Sequence, residues 1–71
     1  MKRRDLLQLI ADGARVRGVE WRFVRHGGDH DLWSCRGSVV QVPRHREVDE
    51  RTARQIIREL EAELGKGWWR Q

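Results

Sequence analysis

The sequence has one cysteine, one proline and no long hydrophobic run, and each scarcity removes a class of protein. A lone Cys35 cannot close an internal disulfide, and no second cysteine stands at the spacing of a zinc pair. A reducing compartment, the cytoplasm, is the expected setting. After the basic start Met1-Lys2-Arg3-Arg4, the apolar stretch runs only from Leu6 to Ile10, is interrupted by Gln8 and is ended by Asp12. That is too short and too broken for a signal peptide or a membrane span, so no membrane association is expected. Three histidines and one cysteine fall at no regular metal-ligand spacing, and neither an internal repeat nor a low-complexity segment is present. With 71 residues there is room for one domain. A chain of this size hides only about 60% of the surface its unfolded form exposes, which leaves a small core and a use for burial against a partner.

Arginine is what the chain has in excess. Fifteen basic against eleven acidic residues give a net charge of +4, and thirteen of the fifteen are arginine. Residues 1–46 hold ten Lys/Arg and five Asp/Glu, whereas residues 47–71 hold five and six. The basic surface therefore belongs to the first two-thirds of the chain. Guanidinium groups bind phosphate with two parallel donors and stack on bases, so a polyanionic partner such as RNA is implied.

Hydrophobic spacing gives the elements. Leu6, Leu7, Ile10 and Ala14 recur every three or four residues, predicting a helix from about Lys2 to Arg17 that ends at Gly18, with Gly13 as an internal weak point. Val19–His26 alternates as a strand whose Val19, Trp21 and Phe23 face the core, with His26 on the opposite side. Gly27-Gly28-Asp29 reads as a turn, Asp31–Cys35 as a second strand, Arg36-Gly37-Ser38 as another turn, and Val39–Val42 as a third strand stopped by Pro43. Of Leu32 and Trp33, only one can enter the core. Asp49 looks like an N-cap for a second helix marked by Ala53, Ile56, Ile57, Leu60 and Leu64 and ending at Gly65. The expected fold is α+β, helix-strand-strand-strand-helix, with both helices on one face of a three-stranded antiparallel sheet. The single domain spans 1–65, and 66–71 form a C-terminal tail in which Trp68 and Trp69 fold back, present an apolar patch to a partner, or lie at a free terminus.

Four local stretches together carry a resemblance. Lys2-Arg3-Arg4-Asp5-Leu6-Leu7 opens the first helix, Arg25-His26-Gly27-Gly28-Asp29-His30 joins the first two strands, Val42-Pro43-Arg44-His45-Arg46-Glu47 follows the third, and Thr52-Ala53-Arg54-Gln55-Ile56 begins the last helix. Over residues 2–64 the chain resembles the HicA toxins of HicA/HicB toxin–antitoxin systems. The resemblance implies a fold like the double-stranded-RNA-binding domain, cleavage of messenger RNA without a cofactor, and neutralisation by a HicB-type antitoxin. It also implies that His30, at the end of Gly27-Gly28-Asp29-His30, is the catalytic residue. The chain departs from the family at Asp29, where Ser or Asn is more usual; a carboxylate there is expected to tune the neighbouring imidazole or to repel an approaching phosphate.

RNA cleavage needs no metal when the ribose 2′-hydroxyl attacks its own neighbouring phosphorus, and an imidazole titrating near neutrality suits the proton transfer. His30 is accordingly expected to act as general base or general acid, the two roles remaining open. Gly27 and Gly28 allow unusual backbone angles and a close phosphate approach, and Arg25 and Arg44 are expected to hold the phosphate. Lys2, Arg3, Arg4, Arg22, Arg25, Arg44 and Arg46 are expected to line the RNA-binding surface. His45, between two arginines, is a secondary candidate. The rival reading is a non-catalytic RNA-binding module of the same fold, and a purely structural domain is a third.

Overall fold

The computed structural model describes residues 1–70, arranged as α1 (Arg3–Val16), β1 (Trp21–Gly27), β2 (His30–Cys35), β3 (Ser38–Pro43), α2 (Glu50–Glu59) and a single turn, α3 (Glu61–Leu64). The strands form one antiparallel sheet in the order β1-β2-β3. This is the helix-sheet-helix α+β order that the periodicities predict.

Local chemistry sets the ends of these elements. At the C-terminus of α1, Gly18 adopts φ +67°, the Val19 amide donates to the Ala14 carbonyl (2.8 Å) and the Gly18 amide to that of Arg15 (3.1 Å). These two bonds make a Schellman motif, which uses carbonyls the helix would otherwise leave unpaired. The β2–β3 connection is the two-residue turn Arg36-Gly37, both with positive φ, whose twist suits a hairpin. Asp49 caps α2: its carboxylate accepts from the Thr52 amide (3.0 Å) and hydroxyl (2.9 Å), which holds the carboxyl below the usual range.

Register decides which strand residues are inside. Trp21, Phe23, Trp33, Cys35, Val40 and Val42 share one face. On that face Cys35, Val40 and Val42 join Leu6, Ile10 and Ala14 of α1 and Ala53, Ile56, Leu60 and Leu64 of the C-terminal helices in one cluster. Val39, on the reverse face, is 61% exposed. Both helices therefore cover the same side of the sheet. Cys35 lies within that core, where burial pushes its thiol up and keeps it protonated.

Three expectations change. Phe23 lies on the covered face but is 41% exposed, and Trp21 is half-buried, stacked on Trp33 with ring centroids 4.8 Å apart. β1 is one of the sheet's two edge strands. The final helix is not continuous to Gly65 but bends at Leu60. There the Ile57 carbonyl, which an unbroken helix would offer to the Glu61 amide, accepts the indole Nε1–H of Trp68 (2.9 Å). Trp68 itself is fully buried, so the packed body continues past Gly65. Trp69 is half-buried and meets Trp68 edge to face. The last residue of the expected tail, Gln71, lies outside the described residues.

Gly13 explains how Trp68 fits. A Cβ on Gly13 would stand 2.6 Å from Cε3 and 2.9 Å from Cζ3 of that ring, so the helix needs a residue without a side chain where the indole crosses it. Gly13→Ala is expected to lower stability by about 1–3 kcal/mol through overpacking, against a helix-propensity gain of about 1 kcal/mol. Trp68→Phe should cost a further, separate 1–3 kcal/mol by leaving the Ile57 carbonyl unpaired. Urea unfolding at pH 7 reads both, and a Gly13→Ala protein more stable than wild type would contradict the close approach.

Candidate active site

Two basic runs far apart in sequence meet through backbone pairing at the N-terminus. The Val48 amide donates to the Met1 carbonyl and the Arg3 amide to the Arg46 carbonyl, both at 2.8 Å, and Lys2 bridges to Glu47. This lays Lys2-Arg3-Arg4 beside Arg44-His45-Arg46. Lys2, Arg3, Arg4, Arg44 and Arg46 line a single cleft of about 520 Å³.

Beside that cleft sits a carboxylate that reading the sequence passed over. The Asp31 side chain is only 7% exposed. Its Oδ2 accepts from Arg3 Nη2 (2.6 Å), its Oδ1 lies 2.7 Å from His26 Nδ1, and Arg44 Nε is 3.6 Å from Oδ1. The hydrogen bond from His26, opposed by burial and helped by Arg3 and Arg44, holds the Asp31 carboxyl below the usual range. A signal for it existed: alternation puts Asp31 on the face of Trp33 and Cys35, where an unpaired charge is not tolerated.

His26 reaches Asp31 because β1 contains a bulge. Phe23 pairs with Trp33 and Arg25 with Leu32, so Val24 is an extra residue between them. The bulge reverses the alternation beyond it, which corrects the expected placement of His26 on the face opposite Trp21 and Phe23. His26 instead shares their face, its ring tilted against Phe23 at 4.9 Å, while its side chain is 65% exposed.

The same bulge turns Arg25 to the reverse face, where His30 points. His30 opens β2, pairs with Gly27 and Pro43, and is half-buried rather than sealed in the core. A Cβ on Gly27 would be 3.8 Å from Arg25 Nη1, so the guanidinium lies beside the cross-strand partner of His30. The two-residue turn Gly28-Asp29 connects the strands, with Gly28 at φ +59°. His30 borders two shallow hollows, one with Gln41, Thr52, Gln55 and Glu59 and the other with Asp29, His45, Glu47 and Asp49.

The expected RNA-binding set is therefore divided. Lys2, Arg3, Arg4, Arg44 and Arg46 gather on one side of the hairpin end, whereas Arg22, opposite Ser34, and Arg25 belong to the reverse face. Arg44 links the two sides: its amide donates to the Asp29 carbonyl (3.0 Å) and its Nη1 to the Gly28 carbonyl (3.3 Å). His45 and Asp29 adjoin His30 in one hollow. Among the described residues no group of three or more His, Cys, Asp and Glu is placed to hold a metal ion, and no helix is long and apolar enough to cross a membrane. Comparison of the chain with protein-family models, curated proteins and solved structures found no match.

Because the Asp31 carboxyl is depressed in the folded state, its stabilisation is present above about pH 4, the ordinary aspartate range, and is lost as pH falls through the folded value. Asp31→Asn should lower the urea midpoint at pH 7, and the gap to wild type should shrink as the pH is lowered below 4. A gap independent of pH would show that Asp31 acts through packing rather than charge.

Proposed function

We propose that the chain is a toxin-type endoribonuclease of the HicA kind, with a fold like the double-stranded-RNA-binding domain, cleaving messenger RNA in the cytoplasm and silenced by a HicB-type antitoxin that covers the site. The observation that carries this reading is the placement of His30: an accessible imidazole at the edge of a glycine-bearing turn, with the Arg25 guanidinium beside its cross-strand partner. The sequence resemblance implies a catalytic histidine at the same position.

The chemistry follows from tethering. The ribose 2′-hydroxyl is already held next to the phosphorus it attacks, so the protein has to move protons and offset charge on the phosphoryl oxygens. His30 transfers a proton, and Arg25 neutralises charge as the five-coordinate phosphorus forms. Gly27 leaves the approach open because it puts no side chain between Arg25 and the strand. The cleft on the other side of the turn holds backbone phosphates without reading bases, as a cluster of cations does.

Incubating purified protein with labelled RNA and a chelator tests this directly. Wild type should cut the RNA, and His30→Ala should lower the rate by about 10²- to 10⁴-fold. Salt-sensitive binding without strand scission would replace the enzyme with a non-catalytic RNA-binding module. The salt dependence of binding tests the cleft: Lys2→Gln and Arg46→Gln should each reduce the log–log slope by about 0.7, the value for one phosphate contact on a single strand. Unchanged slopes would move the RNA off this surface.

A further inference from the structure

An in-line displacement of this kind moves two protons, one off the attacking 2′-hydroxyl and one onto the departing 5′-oxygen. The reading above uses one histidine. A second histidine, His26, stands on the other flank of the same turn in a setting that a solvated surface residue would not need.

An ionised carboxylate offers acceptors only. The 2.7 Å contact between Asp31 and His26 therefore requires the proton on Nδ1, and a neutral His26 then carries its lone pair on Nε2. Fixing one ring nitrogen against a buried carboxylate orients the other, which is how a general base is held ready. Arg3 already meets Asp31 at 2.6 Å and ties it to the sheet through the Pro43 carbonyl (2.8 Å), so a purely structural ion pair is complete without an imidazole. Arg3 and Arg44, which touch the same carboxylate, also line the basic cleft, so His26 adjoins the place where backbone phosphates would lie. Phe23, 41% exposed and in contact with the imidazole, offers an apolar ring face for an adjoining base.

We propose that His26, oriented by Asp31, is a second catalytic residue, acting from beside the basic cleft as general base toward the 2′-hydroxyl of a bound RNA strand. The inference rests on the endoribonuclease reading. Nε2 takes the 2′-hydroxyl proton while the 2′-oxygen bonds to phosphorus. The bond from phosphorus to the 5′-oxygen breaks with its electron pair on that oxygen, which is protonated by water, leaving a 2′,3′-cyclic phosphate and a 5′-hydroxyl. Asp31 is a positioning residue in this step, because it acts through His26.

The test uses the full chain, a labelled oligoribonucleotide with chelator, and a 2′-deoxy version of the same oligonucleotide to measure affinity without cleavage. His26→Gln should lower the single-turnover rate at saturating RNA by about 10²- to 10⁴-fold while affinity for the 2′-deoxy strand is unchanged. Free imidazole should restore part of the rate to His26→Ala, since the site is open to solvent. Nitrogen chemical shifts of neutral His26 should report the proton on Nδ1, a readout that needs no RNA. Cleavage that survives His26→Gln, a variant that loses affinity but not rate, or a proton on Nε2 would each overturn the inference and leave the endoribonuclease reading standing. A wild-type protein that does not cut RNA would overturn both.

Discussion

A charge removed from water has to be compensated, and the compensation of Asp31 organises the end of the molecule where the candidate chemistry lies. Its carboxylate is reached by Arg3 from α1, His26 from β1 and Arg44 from the segment after β3. Each partner comes from a different part of the chain, so one buried group fixes the first helix, the first hairpin and the basic segment relative to one another. Arg3 and Arg44 each make a second bond to backbone, to Pro43 and Gly28, which ties the same cluster to the sheet edge and to the turn before His30.

The result is a hairpin end with two chemically different sides. A single extra residue, Val24, sends His26 toward the carboxylate and cationic cleft and sends Arg25 toward His30. Without that bulge the alternation would exchange the two, placing a third guanidinium at Asp31 and leaving His30 without its neighbouring arginine. Bulges are commonly found where a strand must re-aim a side chain, and this one re-aims two. The far end of the domain is held by ordinary apolar packing, with Trp68 crossing Gly13 and closing the core beneath the final turn of helix.

Charge is also divided in space. The cations of the N-terminal segment and of the stretch after Pro43 converge, whereas the hollows beside His30 are bordered by Asp29, Glu47, Asp49 and Glu59 as well as the imidazole. The first side therefore carries a concentrated positive charge and the second a mixed one. The Arg25 guanidinium lies by Gly27, the cross-strand partner of His30.

The element order, the Gly18 stop, the Asp49 cap, the hairpin turns and the alternating strands were legible in the sequence because each depends on residues a few positions apart, whose backbone preferences and side-chain period act locally. His30 at the turn was legible for the same reason. What the sequence could not state is where separate segments meet. The alternation of Val19–His26 gave no warning of the Val24 bulge, since a bulge is defined by the partner strand rather than by the strand itself. The pairing of Met1–Arg3 with Arg46–Val48, the burial of Asp31 among two guanidinium groups and an imidazole, and the seating of Trp68 on Gly13 all join residues separated by 5 to 55 positions. Local sequence determined which elements form and which residue types they carry; tertiary contact alone decided which histidine meets a carboxylate, because solvation, charge compensation and close packing are settled between neighbours in space.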